Sequence, residues 1–217
     1  MRPLSQSFFP AFILCVVFAI LFGYIVVSIL NQSINTFDTT VIHFVQGMEI
    51  PWLTTIMKLF TWIGSLYTVA PISVIAFLLL YFVVHKRQQA FLLVTVMAGT
   101  VLLNNLLKIY FRRERPEIYR IINVNGFSFP SGHAMMALSL YVIIAFIAWH
   151  YVRTTSRRVL LLLFATFMII AIGTSRIYLG VHYPSDVVGG IAASALWLTI
   201  VISVYSWHQN RRKHFSH

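Results

Sequence analysis

Acidic residues are scarce in this chain of 217 residues, which holds five Asp and Glu against sixteen Lys and Arg; charged residues are only 10% of the whole. About a quarter of a soluble globular domain is charged. A water-surrounded globule would therefore need helices with polar faces, and none of the long apolar runs has one. Cysteine is almost missing too. Cys15 stands alone, which excludes an intramolecular disulfide and says nothing of redox compartment. No internal repeat, low-complexity tract or hydrophilic linker interrupts the chain, so residues 1–217 read as a single integral domain.

What is present is hydrophobic residue, 59% of the total, gathered into six runs: 8–30, 66–84, 90–107, 134–152, 159–173 continuing toward Gly180, and 187–207. At about 1.5 Å per helical residue, ~20 residues cross the ~30 Å hydrocarbon layer. The expected fold class is all-α: a polytopic membrane protein of six transmembrane helices plus short interfacial helices. The first run is too long for a signal-peptide core and no small-x-small site follows it, so a retained signal anchor is expected.

The formal charge of +11 could suggest nucleic acid, but its distribution points to a membrane. With six spans, Arg2, Lys86, Arg87, Arg153, Arg157, Arg158, Arg211, Arg212 and Lys213 fall on one side. Asp38, Glu49, Glu114, Glu117 and Asp186 all fall on the other. Positive charge marks the cytoplasmic side, so both termini are expected inside. The C-terminal "HQNRRKHFSH" then reads as a juxtamembrane anchor at anionic lipid headgroups rather than a nucleic-acid contact.

Between the first two spans, Ile34, Phe37, Val41, Phe44, Val45 and Met48 recur at three- and four-residue steps, with Asn35, Asp38, Thr39 and Gln46 on the other side. That spacing predicts a helix in the outer interface. Pro51 ends it, and 52–63, with Trp52 and Trp62, predicts a further short helix at headgroup level. Either helix could pack or steer a lipid.

Three polar clusters break the apolar pattern, all outside by the same count. "KIYFRRERP" carries Lys108 and, seven residues on, Arg115 before Pro116. "FPSGHA" places Ser131 as a helix cap, Gly132 where a ligand or backbone can approach closely, and His133 beside N–H groups that favour an anion. "SRIYLGVHYPSD" holds Arg176, His182 and Asp186. His182 and Asp186 are four apart, so a carboxylate can fix one imidazole nitrogen and leave the other as nucleophile or base. A structural Arg176–Asp186 ion pair is the plain alternative. Three cations, a helix N-terminus and two histidines together match a phosphoryl group. They match a metal poorly, since three cations would repel zinc and only Glu114 and Glu117 are spare carboxylates.

These residues, Lys108-(six)-Arg115-Pro116, Pro130-Ser131-Gly132-His133 and Ser175-Arg176-(five)-His182-(three)-Asp186, resemble the three motifs of the type 2 phosphatidic acid phosphatase (PAP2) superfamily at every fixed position. The likeness covers about 108–186. It implies a PAP2-like helical bundle and a membrane lipid phosphatase with no metal or organic cofactor. His182 would be the nucleophile that becomes phosphohistidine, Asp186 its orienting partner and His133 the proton donor. Lys108, Arg115, Arg176 and the N–H groups of Ser131 and Gly132 would hold the phosphoryl oxygens. The implied partner is a phospholipid or an isoprenoid lipid phosphate within the membrane. Members of this size resemble phosphatidylglycerophosphate and undecaprenyl pyrophosphate phosphatases; the first substrate is preferred, with overlap onto the second and onto phosphatidate. Oligomeric state is not legible. A transporter binding a lipid head, which would place charge near the membrane midplane, and a vanadium-dependent haloperoxidase, whose relatives are soluble, are the competing readings.

Overall fold

Inside hydrocarbon every backbone N–H and C=O must be satisfied within its own segment, so apolar runs of this length become helices. The structure, a computed structural model, describes residues 5–117 and 119–215. It is built of α1 (Ser5–Leu30), α2 (Asn35–Gln46), α3 (Pro51–Ile63), α4 (Leu66–Leu78, prolonged by a π-helical turn over Leu79–Val83), α5 (Arg87–Phe111), α6 (Gly132–Trp149), α7 (Thr155–Tyr178) and α8 (Pro184–Phe215). Six of these are long and apolar enough to cross a membrane: α1, α4 with its π turn, α5, α6, α7 and α8. Arg2 and the Lys213 side chain, both counted among the basic residues above, lie outside what is described.

Several helices run beyond their apolar windows. The third span begins at Arg87 and reaches Phe111, the fifth extends to Tyr178, and the last starts at Pro184. Hydropathy falls at a polar residue, whereas helix geometry does not. The extra turns carry Lys108, Arg176 and Asp186 at the rim of the bundle.

Helix α8 is the hub, with α1, α5 and α6 packed against it, while α7 packs on α6 and α3. Val69, Leu93, Val96, Leu140, Ile143 and Leu198 form the main core. The Trp197 indole N–H donates to Val96 O at 3.1 Å, and the ring occupies the space beside Gly99 that a side chain would need. The small residues Gly189, Gly190, Ala192, Ala193 and Ser194 are buried within the chain. A Cβ on Gly190 would stand 2.9 Å from Ser131 O, so this close approach sets α8 against the start of α6.

Both interfacial helices form, but α2 is oriented differently from the expectation. Asp38, Ile42 and Val45 are its buried residues, while Phe37, Phe44 and Met48 are exposed. An ion pair drawn inward decides the face, as described below. In α3 no side chain is buried, and Trp52 and Trp62 are exposed. Both helices nonetheless pack on the bundle, α2 on α7 and α8 and α3 on α7.

The turn from α7 to α8 depends on Gly180, whose φ is +72° and whose missing Cβ makes room for Tyr119 O and the Gln46 amide. Gly180→Ala should cost about 1–2 kcal/mol from the left-handed backbone alone, and more from the collision. A lowered unfolding temperature in detergent would register it; an unchanged one would mean the turn relaxes freely.

Candidate active site

His182 lies in that turn, 2% exposed, just before α8. The turn is closed by Arg176 O, which accepts from Val181 N at 3.2 Å and His182 N at 3.3 Å. Pro184 opens α8 with its φ already suited to a first helical turn, and Asp186 caps it by accepting from Tyr183 N at 2.9 Å. The same Asp186 oxygen, Oδ2, is 3.3 Å from His182 Nδ1. On the other side of the ring, Nε2 is 3.2 Å from Arg115 Nη1. A guanidinium can only donate. Nε2 therefore carries the lone pair, and the ring proton sits on Nδ1, facing the carboxylate. Burial, together with Arg176, Arg115 and Lys108, holds this imidazole well below its ordinary 6.5, against an opposing pull from the Ser128 main chain. The ring is neutral, with Nε2 as its acceptor nitrogen.

The plain alternative of an Arg176–Asp186 ion pair is not what forms. Asp186 Oδ1 instead accepts from Arg113 Nη1 at 2.7 Å, and Arg113 Nη2 reaches Asp38 Oδ2 at 2.9 Å. Ser185 completes the unit: its N–H and hydroxyl donate to the two Asp38 oxygens at 2.9 and 2.6 Å, and its hydroxyl accepts from Arg113 at 2.7 Å. The guanidinium carbon also lies 4.1 Å from the Tyr183 ring centroid. Sequence reasoning named neither Arg113 nor Asp38 in the site. The available signal was the excess of arginine in "RRERP", with two members unassigned, and the lone carboxylate of the interfacial helix α2.

The facing wall comes from α5, α6 and α7. His133 is within electrostatic reach of Arg176, His182, Lys108 and Arg115, at the same end of the bundle as the other motif histidine. Gly132 is required where it stands, since a Cβ would be 2.9 Å from Asn104 Oδ1. Asn104, in turn, holds the Phe129–Gly132 corner by donating to Pro130 O at 3.2 Å. Two expectations change. The Ser131 N–H is not open to a ligand, because it donates to Asp186 O at 3.0 Å, tying the second motif to the third. The Arg115 fork is largely occupied by Gly126 O, Val181 O and Phe127 O at 2.9, 2.7 and 3.2 Å. It clasps the 125–127 loop and presents one corner to His182. Burial lowers the Arg115 guanidinium from its ordinary value, Asp186 opposing.

Two groups remain open. Among the described residues, Ser131 Oγ and Arg176 Nε are the buried side-chain polar atoms with no hydrogen-bond partner. Arg176 is 1% exposed and makes one side-chain contact, to Thr61 Oγ1 at 3.2 Å, which Ser175 Oγ supports at 2.8 Å. Buried donors without partners are rare in native proteins and call for an explanation. An oxyanion between α6 and α7 would satisfy both. Among the described residues no group of three His, Cys, Asp or Glu is placed to hold a metal ion; Glu114 and Glu117 are exposed.

Residues 89–212 match the family model for the PAP2 superfamily. The chain is 30% identical over 175 residues to phosphatidylglycerophosphatase B of Bacillus subtilis, covering 80% of this chain and 86% of that protein. It is 36% identical over 112 residues to decaprenylphosphoryl-5-phosphoribose phosphatase of Mycobacterium tuberculosis, covering 50% of this chain and 56% of the relative. In three dimensions it superposes on the crystal structure of a transmembrane PAP2-type phosphatidylglycerolphosphate phosphatase from Bacillus subtilis. The TM-score is 0.81 at 27% identity, over 88% of this chain and 94% of the other.

The ring signal of His182, assigned by difference from His182→Gln in nitrogen-labelled protein, should keep the shift of a neutral Nδ1–H imidazole as pH falls through 6.5, the ordinary value. Titration at that value would contradict the buried, cation-surrounded setting. Arg113→Ala should cost about 3–5 kcal/mol, the range for breaking a buried pair, and Asp38→Asn should recover part of the loss. Additive losses in a double-mutant cycle would mean the pair is not coupled.

Proposed function

This chain belongs to the PAP2 superfamily, and from that premise we propose that its phosphatase chemistry runs through His182 on a lipid whose chains stay in the bilayer. The protein is a multi-pass membrane lipid phosphatase, a hydrolase of phosphate esters. The reading of its site rests on one observation above the others. Two buried donors, Ser131 Oγ and Arg176 Nε, have no protein partner, and the His182 imidazole is held through Nδ1 by Asp186 with its lone pair on Nε2, beside Arg115.

In the proposed reaction the phosphoryl oxygens lie between Arg176, Lys108, the corner of Arg115 that faces His182, and the N–H groups of Gly132 and His133 at the start of α6. His182 Nε2 forms the bond to phosphorus while the ester oxygen leaves on the opposite side, as in-line transfer requires. Asp186 stabilises the imidazolium that results by accepting from Nδ1–H. His133 gives a proton to the departing alkoxide, then takes one from the water that attacks phosphohistidine. That second displacement restores neutral His182 and releases inorganic phosphate, so protons and charge balance over the cycle. No step calls for a metal or an organic cofactor.

We read the side of the membrane from the basic residues around Lys86, Arg153 and Arg211, which support cytoplasmic termini and histidines on the outer face. At that level a lipid phosphate reaches the ends of α5 to α8 without leaving the interface. The preferred substrate is phosphatidylglycerophosphate, supported by likeness to phosphatidylglycerophosphatase B over most of both chains. The side chains grip only a phosphoryl unit, so undecaprenyl pyrophosphate and phosphatidate are expected to turn over as well. Likeness to a phosphatase of a decaprenyl lipid supports that breadth.

Phosphate release from a panel of these three lipids by purified protein tests the whole scheme. His182→Ala should remove turnover while leaving helix content intact, and a chelator should change nothing. His133→Ala should slow an alkyl ester by about 10²–10⁴, the usual contribution of general acid catalysis, and slow an aryl ester far less. Near-normal release from His182→Ala would remove the nucleophile assignment.

A further inference from the structure

A sizeable cavity bounded by described residues lies away from the motif histidines. It opens at the opposite end of the spans, about 570 Å³ in volume, between the turn before α5, the last turn of α6 and the distal turns of α8. That size suits a small ligand or a headgroup. Lys86, Arg87 and His150 line it with a set of amides. The floor is built rather than loose: Tyr151 hydroxyl donates to Gln89 at 2.9 Å, the Gln209 amide meets Gln88, and Arg87 lies 5.1 Å from the Tyr81 ring centroid. No carboxylate lines it, and all five of the chain's carboxylates sit in α2, in the loops at the other end of the spans or in the first turn of α8.

A second cavity continues from the first. It holds about 320 Å³ between α5 and α8, shares Gln88, Tyr205 and Gln209 with the polar one, and is walled mainly by Phe91, Leu92, Val201 and Val204. Phe91 and Val204 face outward, where the bilayer is. A cationic basin that runs into an apolar channel along the membrane-facing surface has the two-part shape of an amphiphile. A free anion would use only the basin.

We propose that this end of the bundle holds one phospholipid with a net negative headgroup, its phosphate against Lys86 and Arg87 and an acyl chain along the α5–α8 channel. It is not a substrate position. Lys86 and Lys108 mark opposite ends of α5, so a lipid seated here has its head in the other leaflet from His182. The occupant is a structural or regulatory lipid drawn by charge.

Native mass spectrometry of the full chain in neutral detergent reads this directly. The probes are phosphatidylserine, a phosphodiester with no terminal phosphate to hydrolyse, and phosphatidylcholine with the same acyl chains. One phosphatidylserine should be retained in preference to phosphatidylcholine. Lys86→Gln with Arg87→Gln should weaken phosphatidylserine about 30-fold, the combined effect of two cations near a charged lipid, and leave phosphatidylcholine alone. Val204→Trp, which fills the channel without touching charge, should weaken both lipids. Phosphate release from substrate by His182 should persist in each variant. Equal retention of the two lipids, or phosphatidylserine held undiminished by the doubly neutralised variant, would overturn the proposal. So would inorganic phosphate binding as tightly as the lipid and unaffected by Val204→Trp, which would make the basin a free-anion site.

Discussion

One guanidinium between two buried carboxylates organises the histidine-bearing end of this molecule. Asp38 and Asp186 are 1% and 0% exposed, and an ionised carboxylate in such a place costs several kcal/mol unless it is paired and hydrogen-bonded. Arg113 meets both, Ser185 fills the remaining acceptors on Asp38, and Tyr183 covers the cation's face. The consequence is mechanical as well as electrostatic. Through this cluster α2, the segment after α5 and the start of α8 are held as one unit. The carboxylate that fixes the His182 tautomer is thereby fixed itself, so the imidazole is positioned by a chain of contacts reaching back to an interfacial helix.

The location of the cluster explains how ionisable residues persist in so apolar a chain. They lie at helix ends, where the spans leave hydrocarbon, rather than at the midplane where charge is most costly. Low polarisability around them strengthens each fixed dipole and each cation acting on a phosphoryl group. The same setting brings the substrate in by lateral diffusion, since a lipid phosphate already sits at that depth. This arrangement also disfavours a transporter, which would need its charged contacts deeper, at interrupted helices. The helix interruption the structure does contain, the π turn over Leu79–Val83, lies at the opposite end from the histidines.

Much of this was legible in the residues. Long apolar runs fixed the number of spans, because the bilayer allows few alternatives, and spaced polar clusters disclosed where the spans would meet. The extra helical turns at Arg87 and before Phe111 were hidden because hydropathy reads composition, not backbone geometry. The face of α2 was misjudged because periodicity weighs apolar residues and ignores what a single aspartate can gain from an arginine 75 positions away. Pairings of that kind are tertiary facts. Arg113 and Arg115 are two residues apart and chemically identical, yet one braces a carboxylate while the other closes a loop over carbonyls and borders the nucleophile. Likewise no local pattern tells that the Ser131 N–H is already engaged by Asp186 O.

The Arg176 carbonyl, which closes the turn by accepting from both Val181 and His182, makes the arginine proposed to grip phosphate and the imidazole proposed to attack it two parts of one jaw. On that reading, lipids with bulkier or slimmer heads are accommodated by the opposing jaw, formed by the end of α5 and the loop that follows it, and the stroke of the reaction stays constant from one substrate to the next.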